Sequence, residues 1–68
     1  MTIEFSTRDY VWSHGKAPRG LGSWCFTFEG HEYWVHAKYS EAKKECIKEI
    51  RRLAPKGYRG LVIVTVEP

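Results

Sequence analysis

The feature that most constrains the fold is an alternation of apolar and polar side chains on either side of Gly30. Residues 23–29 and 32–38 each read as a β-strand, because successive side chains of a strand point to opposite faces of a sheet. Gly30 followed by His31 fits a type II′ turn, which favours glycine at its first central position. The segment therefore predicts a β-hairpin.

The predicted hairpin separates its side chains into two faces. The turn would set Thr27 against Trp34 and Cys25 against His36. One face is apolar and is expected to pack on the core: Trp24, Phe26, Phe28, Tyr33, Val35 and Ala37. The other is mixed and is expected to be open, unless residues 1–12 or a second copy of the chain cover it: Cys25, Thr27, Glu29, Glu32, Trp34, His36 and Lys38.

The remaining elements follow from periodicity and from capping residues. Residues 3–12 are rich in β-branched and aromatic side chains and read as a first strand, with a bulge where the alternation slips at 7–9. Residues 40–53 show helical spacing of apolar positions, and Ser40 is a candidate N-cap. Residues 61–66 are a continuous apolar run, which is typical of a central or well-covered strand.

These elements predict an α+β fold with the order β-β-β-α-β. A chain of 68 residues is enough for one domain, residues 1–68. The helix must lie on the sheet to bury its apolar stripe. Placing the last strand beside the first one predicts a four-stranded mixed sheet in the order 4-1-2-3, with one helix packed on one face. The stripe comprises Ala42, Cys46, Ile47, Ile50, Leu53 and Ala54.

The cysteines are expected to be two free thiols. Cys46 would point into the core from the helix and Cys25 would lie on the opposite face of the sheet, too far apart for a disulfide. Cys25 opposite His36 could begin a zinc site, but zinc needs at least three protein ligands. The same pair lacks an orienting third group for nucleophilic catalysis. We expect no catalytic residue, metal or cofactor, and therefore a protein that is not an enzyme.

A basic, glycine-rich loop is the first candidate binding site. The chain carries a net charge of +3 and a pI near 9.0. Residues 13–22 hold Lys16 and Arg19 without any acid. The hairpin would bring this loop to the same sheet end as Lys38, Lys43 and the helix N-terminus, where they could hold a phosphate. The alternative is that these cations are only solvated.

The open sheet face is the second candidate site. Trp34, beside His36, could stack an unpaired base. Alternatively, Trp34 packs under the N-terminal segment or anchors a protein contact, including a homodimer. On the helix surface, glutamates beside the cations Lys44, Lys48, Arg51 and Arg52 indicate a self-neutralising solvated face.

Two stretches of the chain resemble small phage and prophage open reading frames of no known activity. They are His14-Gly15-Lys16-Ala17-Pro18-Arg19-Gly20-Leu21-Gly22-Ser23-Trp24 and the helix start Ser40-Glu41-Ala42-Lys43-Lys44. The resemblance implies a phage origin and binding to nucleic acid or to a host protein, and it transfers no site residues.

The leading expectation is therefore a small cytoplasmic nucleic-acid-binding module. Phosphates would be held by Lys16, Arg19, Lys38 and Lys43, and bases would meet Trp34 and His36. The alternative is a module that binds and modulates a host protein through the open sheet face. No apolar run is long enough to span a membrane, so no membrane partner is expected.

Overall fold

The computed structural model describes all of residues 1–68, and its elements follow the order β-α-β-β-α-β. The strands are β1 (Thr2–Ser6), β2 (Leu21–Phe28), β3 (His31–Lys38) and β4 (Leu61–Val66), and the helices are α1 (Arg8–His14) and α2 (Tyr39–Leu53). The expected α+β class is confirmed, with a four-stranded mixed sheet and a helix packed against it.

The sheet order is β1-β4-β2-β3, so the predicted order 4-1-2-3 is wrong. β4 pairs in parallel with β1 and antiparallel with β2, and β2 pairs antiparallel with β3. β4 is apolar at most of its positions, whereas β1 places Thr2, Glu4 and Ser6 on one face. The more apolar strand takes the central position and the more polar one the edge, where its outer side meets water.

Residues 3–12 do not form a single strand. β1 ends at Ser6, and residues 8–14 form α1, which ends at Gly15 in the left-handed conformation with its N–H bonded to the Val11 carbonyl. The Tyr10 ring stacks on His14, one turn later, at 4.1 Å. The slip in alternation at residues 7–9, expected to be a bulge, therefore marks the change from strand to helix.

The hairpin forms, but its turn lies one residue earlier than expected. Glu29 and Gly30 are its two central residues, with φ of 47° and 78°. Positive φ at both positions defines a type I′ turn instead of type II′. The register shifts by two residues, so each side chain keeps its expected face and changes its cross-strand neighbour.

Helix α2 begins one residue before the expected start. Lys38 occupies the N-cap position and no side chain caps the helix, so the assignment of Ser40 as N-cap is wrong. Three residues of the expected stripe are buried, Ala42, Cys46 and Ile50. Leu53, at the end of the helix, is exposed.

The core lies between α2 and one face of the sheet. Its buried members are Trp24, Phe26, Phe28, Ala42, Cys46, Ile50, Val62, Val64 and Val66. Phe26 is fully buried, and the Phe5 ring meets it edge-on at 5.6 Å. Neither helix has the length and apolar character needed to cross a membrane.

Both cysteines are free, as predicted, and both are buried, although Cys25 was expected on an open face. Cys46 lies on the buried stripe of α2, whereas Cys25 follows the parity of the open face of β2. Burial raises the pKa of Cys46 to about 12, with a further contribution from the Glu49 carboxylate. Burial also raises the pKa of Cys25, so neither thiol is a ready nucleophile at neutral pH.

Candidate functional site

The glycine-rich loop between α1 and β2 is tied to the start of α2. The Gly20 carbonyl accepts a hydrogen bond from the Tyr39 N–H at 2.9 Å. Pro18 is buried, while Lys16 and Arg19 on either side of it are exposed. The loop is therefore anchored at its middle and its end, and it presents two cations to solvent.

The segments that carry the cations meet around Trp24. The Tyr10 ring of α1 lies 5.6 Å from the Trp24 ring, and the Tyr39 ring of α2 lies 4.9 Å from it. The Trp24 indole N–H donates to the Ala37 carbonyl at 2.9 Å. α1, the loop and the N-terminus of α2 thus form one end of the molecule, which we call the basic end.

Charge is distributed unevenly between the two ends. The basic end carries six cations and three carboxylates: Arg8, Lys16, Arg19, Lys38, Lys43 and Lys44, with Asp9, Glu41 and Glu67, which follows β4 where that strand ends beside α1. The excess of three equals the net charge of +3 of the whole chain. The positive potential that would attract a polyanion is therefore concentrated at this end.

Lys38 and Lys43 lie on different sides of the sheet. Lys38 is exposed opposite Leu21 and follows the parity of the open face. The Lys43 ammonium lies over two rings of the covered face, 5.1 Å from the Tyr39 centroid and 5.8 Å from the Phe5 centroid. A cation held by two rings is less available to a phosphate, so Lys38 is the better candidate of the two.

Trp34 is 63% exposed on the open face, but its surroundings are acidic. It faces Cys25, not Thr27, and its indole N–H donates to the Glu32 carboxylate. The Glu67 N–H donates to the Cys25 carbonyl, and the Glu32 and Glu67 carboxylates both help to raise the pKa of Cys25. Carboxylates at this position would repel the phosphate backbone of a nucleic acid.

His36 lies on the open face, as expected, but its cross-strand neighbour differs from the expected one. It faces Ser23, and its Nδ1 lies 3.0 Å from the Ser23 hydroxyl. The expected pairing of Cys25 with His36 therefore does not occur, because Cys25 faces Trp34 and the two residues are offset by two cross-strand pairs. No group of three or more metal-ligating side chains is assembled anywhere in the chain.

Trp12 is the exposed aromatic that sequence reasoning missed. It lies on α1 and is 90% exposed, more than any other large hydrophobic side chain of the molecule. Arg8, Asp9, Val11 and Trp12 line a shallow concavity. The signal that could have revealed it is the spacing of Tyr10 and His14, which puts both on one helix face and Trp12 on another.

The outer face of α2 is partly self-neutralised, as expected. Lys48 contacts Glu45 at 3.3 Å, and Arg52 makes two contacts with Glu49, at 2.8 and 2.9 Å. The hydrogen bond from Arg52 is the main cause that lowers the pKa of Glu49. Exposed pairs of this kind add little stability, but they reduce the charge that this face offers to a polyanion.

The opposite end of the molecule holds a small apolar groove of about 190 Å³. Phe28, Ile50, Leu53, Tyr58 and Val62 provide most of its lining. Its volume is below the range of about 300–1,000 Å³ that is usual for small-molecule sites.

The fold and the site together define the class of protein: a small α+β domain with one covered and one open sheet face and with its positive charge at one end. No protein-family model, curated protein or solved structure matches the chain.

Proposed function

We propose that the protein is a small, non-enzymatic nucleic-acid-binding module that holds phosphates at its basic end. The observation that carries the proposal is the concentration of cations around a loop that contains no acid. Lys16, Arg19 and Lys38 are its exposed phosphate contacts, and the first-turn N–H groups of α2 add positive potential beside them.

The test is the salt dependence of binding to fluorescein-labelled DNA and RNA, followed by anisotropy. Three phosphate contacts predict a slope of log K against log salt of about −2 for a single strand. The double variant Lys16→Glu, Arg19→Glu is expected to bind at least about tenfold more weakly and to show a shallower slope.

A matched control keeps the same change in net charge at other positions. Arg51 and Lys56 are exposed cations outside the basic end and have no ion-pair partner. Arg51→Glu, Lys56→Glu should therefore weaken binding less than the loop variant does. If the two double variants bind alike, or if the unchanged protein binds no nucleic acid at low salt, the proposal is wrong.

The second candidate function is binding to a host protein through the open sheet face. Exposed apolar side chains are present there at Trp34, Ile63 and Leu61, and the Glu32 carboxylate beside Trp34 suits a protein partner better than a nucleic acid. A buried aromatic anchor predicts a salt-tolerant complex that Trp34→Ala disrupts. Pull-down at high salt with the unchanged protein and the Trp34→Ala variant tests this candidate, and equal recovery would exclude it.

A further inference from the structure

The exposure of Trp12 is not explained by the packing of the domain. Its neighbour Tyr10 is half-buried against Trp24, whereas Trp12 has 90% of its surface in water. Leaving a large aromatic side chain exposed forgoes the hydrophobic stabilisation that its burial would contribute. An exposed tryptophan beside cations is an arrangement on which many proteins stack unpaired bases.

The charges around Trp12 complement a nucleic acid. Arg8 precedes it by four residues on α1, so the two share one helix face and line the same concavity, and Lys16 lies two residues beyond the end of the helix. Asp9 is the single carboxylate on α1. Trp34, by contrast, already bonds through its N–H to a carboxylate. Of the two exposed tryptophans, Trp12 is therefore the one that lies beside the phosphate contacts.

Helix α1 holds Trp12 in a defined position. The Tyr10 ring is stacked on His14 and packs against Trp24, which fixes the opposite side of the helix. The C-terminal end is closed by the hydrogen bond from the Gly15 N–H to the Val11 carbonyl at 2.8 Å. An indole on an anchored helix loses little conformational entropy when a planar ligand stacks on it.

We propose that Trp12, with Arg8 beside it, is a base-stacking platform and that the ligand of the basic end is single-stranded nucleic acid. This inference rests on the proposed function and adds the substrate class. Unpaired bases offer a free π-face to an indole, whereas bases in a duplex are already stacked on their neighbours. Arg8, Lys16 and Arg19 would track the phosphates on either side of the stacked base.

The experiment compares a labelled oligothymidine of about 12 nucleotides with a duplex of equal length. Binding to each is measured by anisotropy for the unchanged protein, Trp12→Ala and the control Trp34→Ala, which also removes one exposed tryptophan. We expect tighter binding to the single strand and a loss of about fivefold or more for Trp12→Ala. Trp34→Ala should stay within about twofold, and Trp12→Phe should retain part of the affinity.

Every other result of this experiment contradicts one named part of the two proposals. If Trp12→Ala binds normally while Lys16→Glu, Arg19→Glu binds weakly, the stacking platform is wrong and the proposed function stands. Equal binding of strand and duplex overturns the substrate class. If neither is bound at low salt, both proposals fail. Far-ultraviolet circular dichroism confirms that the variants are folded, as expected for an exposed helical position where alanine is a good helix former.

Discussion

The type I′ turn at Glu29-Gly30 permits a sharp test of the hairpin. Glu29 is the only residue other than glycine with a positive φ, at 47°. Holding such a residue in the left-handed region costs about 1 kcal/mol. Asparagine adopts this region more readily, and Asn-Gly is the favoured pair for a type I′ turn.

The perturbation is Glu29→Asn, with Glu29→Gln as its matched control. Both variants remove the same carboxylate, but only asparagine favours the left-handed conformation. We expect Asn to increase the free energy of unfolding by about 0.5–1 kcal/mol relative to Gln. For a domain of 60–100 residues this corresponds to a rise in Tm of about 2–8 °C, which thermal denaturation followed by circular dichroism can measure.

The opposite result would refute the turn assignment. In a type II′ turn at Gly30-His31, Glu29 would lie in a regular strand. Asparagine is disfavoured in strands, so Glu29→Asn would then melt at or below the temperature of Glu29→Gln. The sign of the difference between these two variants therefore decides between the two registers of the hairpin.

Three further perturbations test the packing. Phe26→Ala should lower the free energy of unfolding by about 3–5 kcal/mol in urea denaturation. Leu21→Ala, at an exposed position, should lower it by less than about 0.5 kcal/mol. Equal losses for the two variants would contradict the placement of Phe26 in the core. The pKa of Cys46 is near its ordinary value of 9.0 in the unfolded chain and about 12 in the folded one. The unfolded chain therefore loses this proton first, and the free energy of unfolding falls as pH rises above about 9. Cys46→Ala should show a shallower fall. An equal fall would contradict the burial of this thiol. Gly60→Ala brings a methyl group into the Tyr58 hydroxyl, so its cost should shrink in a Tyr58→Ala background; additive losses would show that the two positions do not touch.

The faces of the hairpin could be predicted better than its register. Alternation assigns each residue to a face, and moving the turn by one residue shifts the cross-strand pairing by two, which preserves every face. The neighbours of Trp34 and His36 depend on the pairing itself, so the expected Cys25–His36 pair was wrong. The choice between type I′ and type II′ depends on the conformation of Glu29, for which a glutamate gives no signal.

The candidate site was predicted in part. The loop with Lys16 and Arg19 does lie beside the start of α2, because the hairpin direction alone requires it. The two-sided placement of Lys38 and Lys43 was not expected, since the aromatic rings that hold Lys43 come from β1 and α2. Trp12 was missed because residues 8–14 contain several residues with high strand propensity, and propensity is a weak guide when a tertiary contact opposes it.

The sequence by itself determined the α+β class, the two faces of the hairpin, the apolar stripe of α2 and the free thiols. These properties depend on the period of apolar residues along each element, which is local information. Only the tertiary structure decided that β4 enters between β1 and β2 and that residues 8–14 are helical. Both outcomes depend on contacts between distant segments: the pairing of β4 with two strands, and the packing of Tyr10 on Trp24.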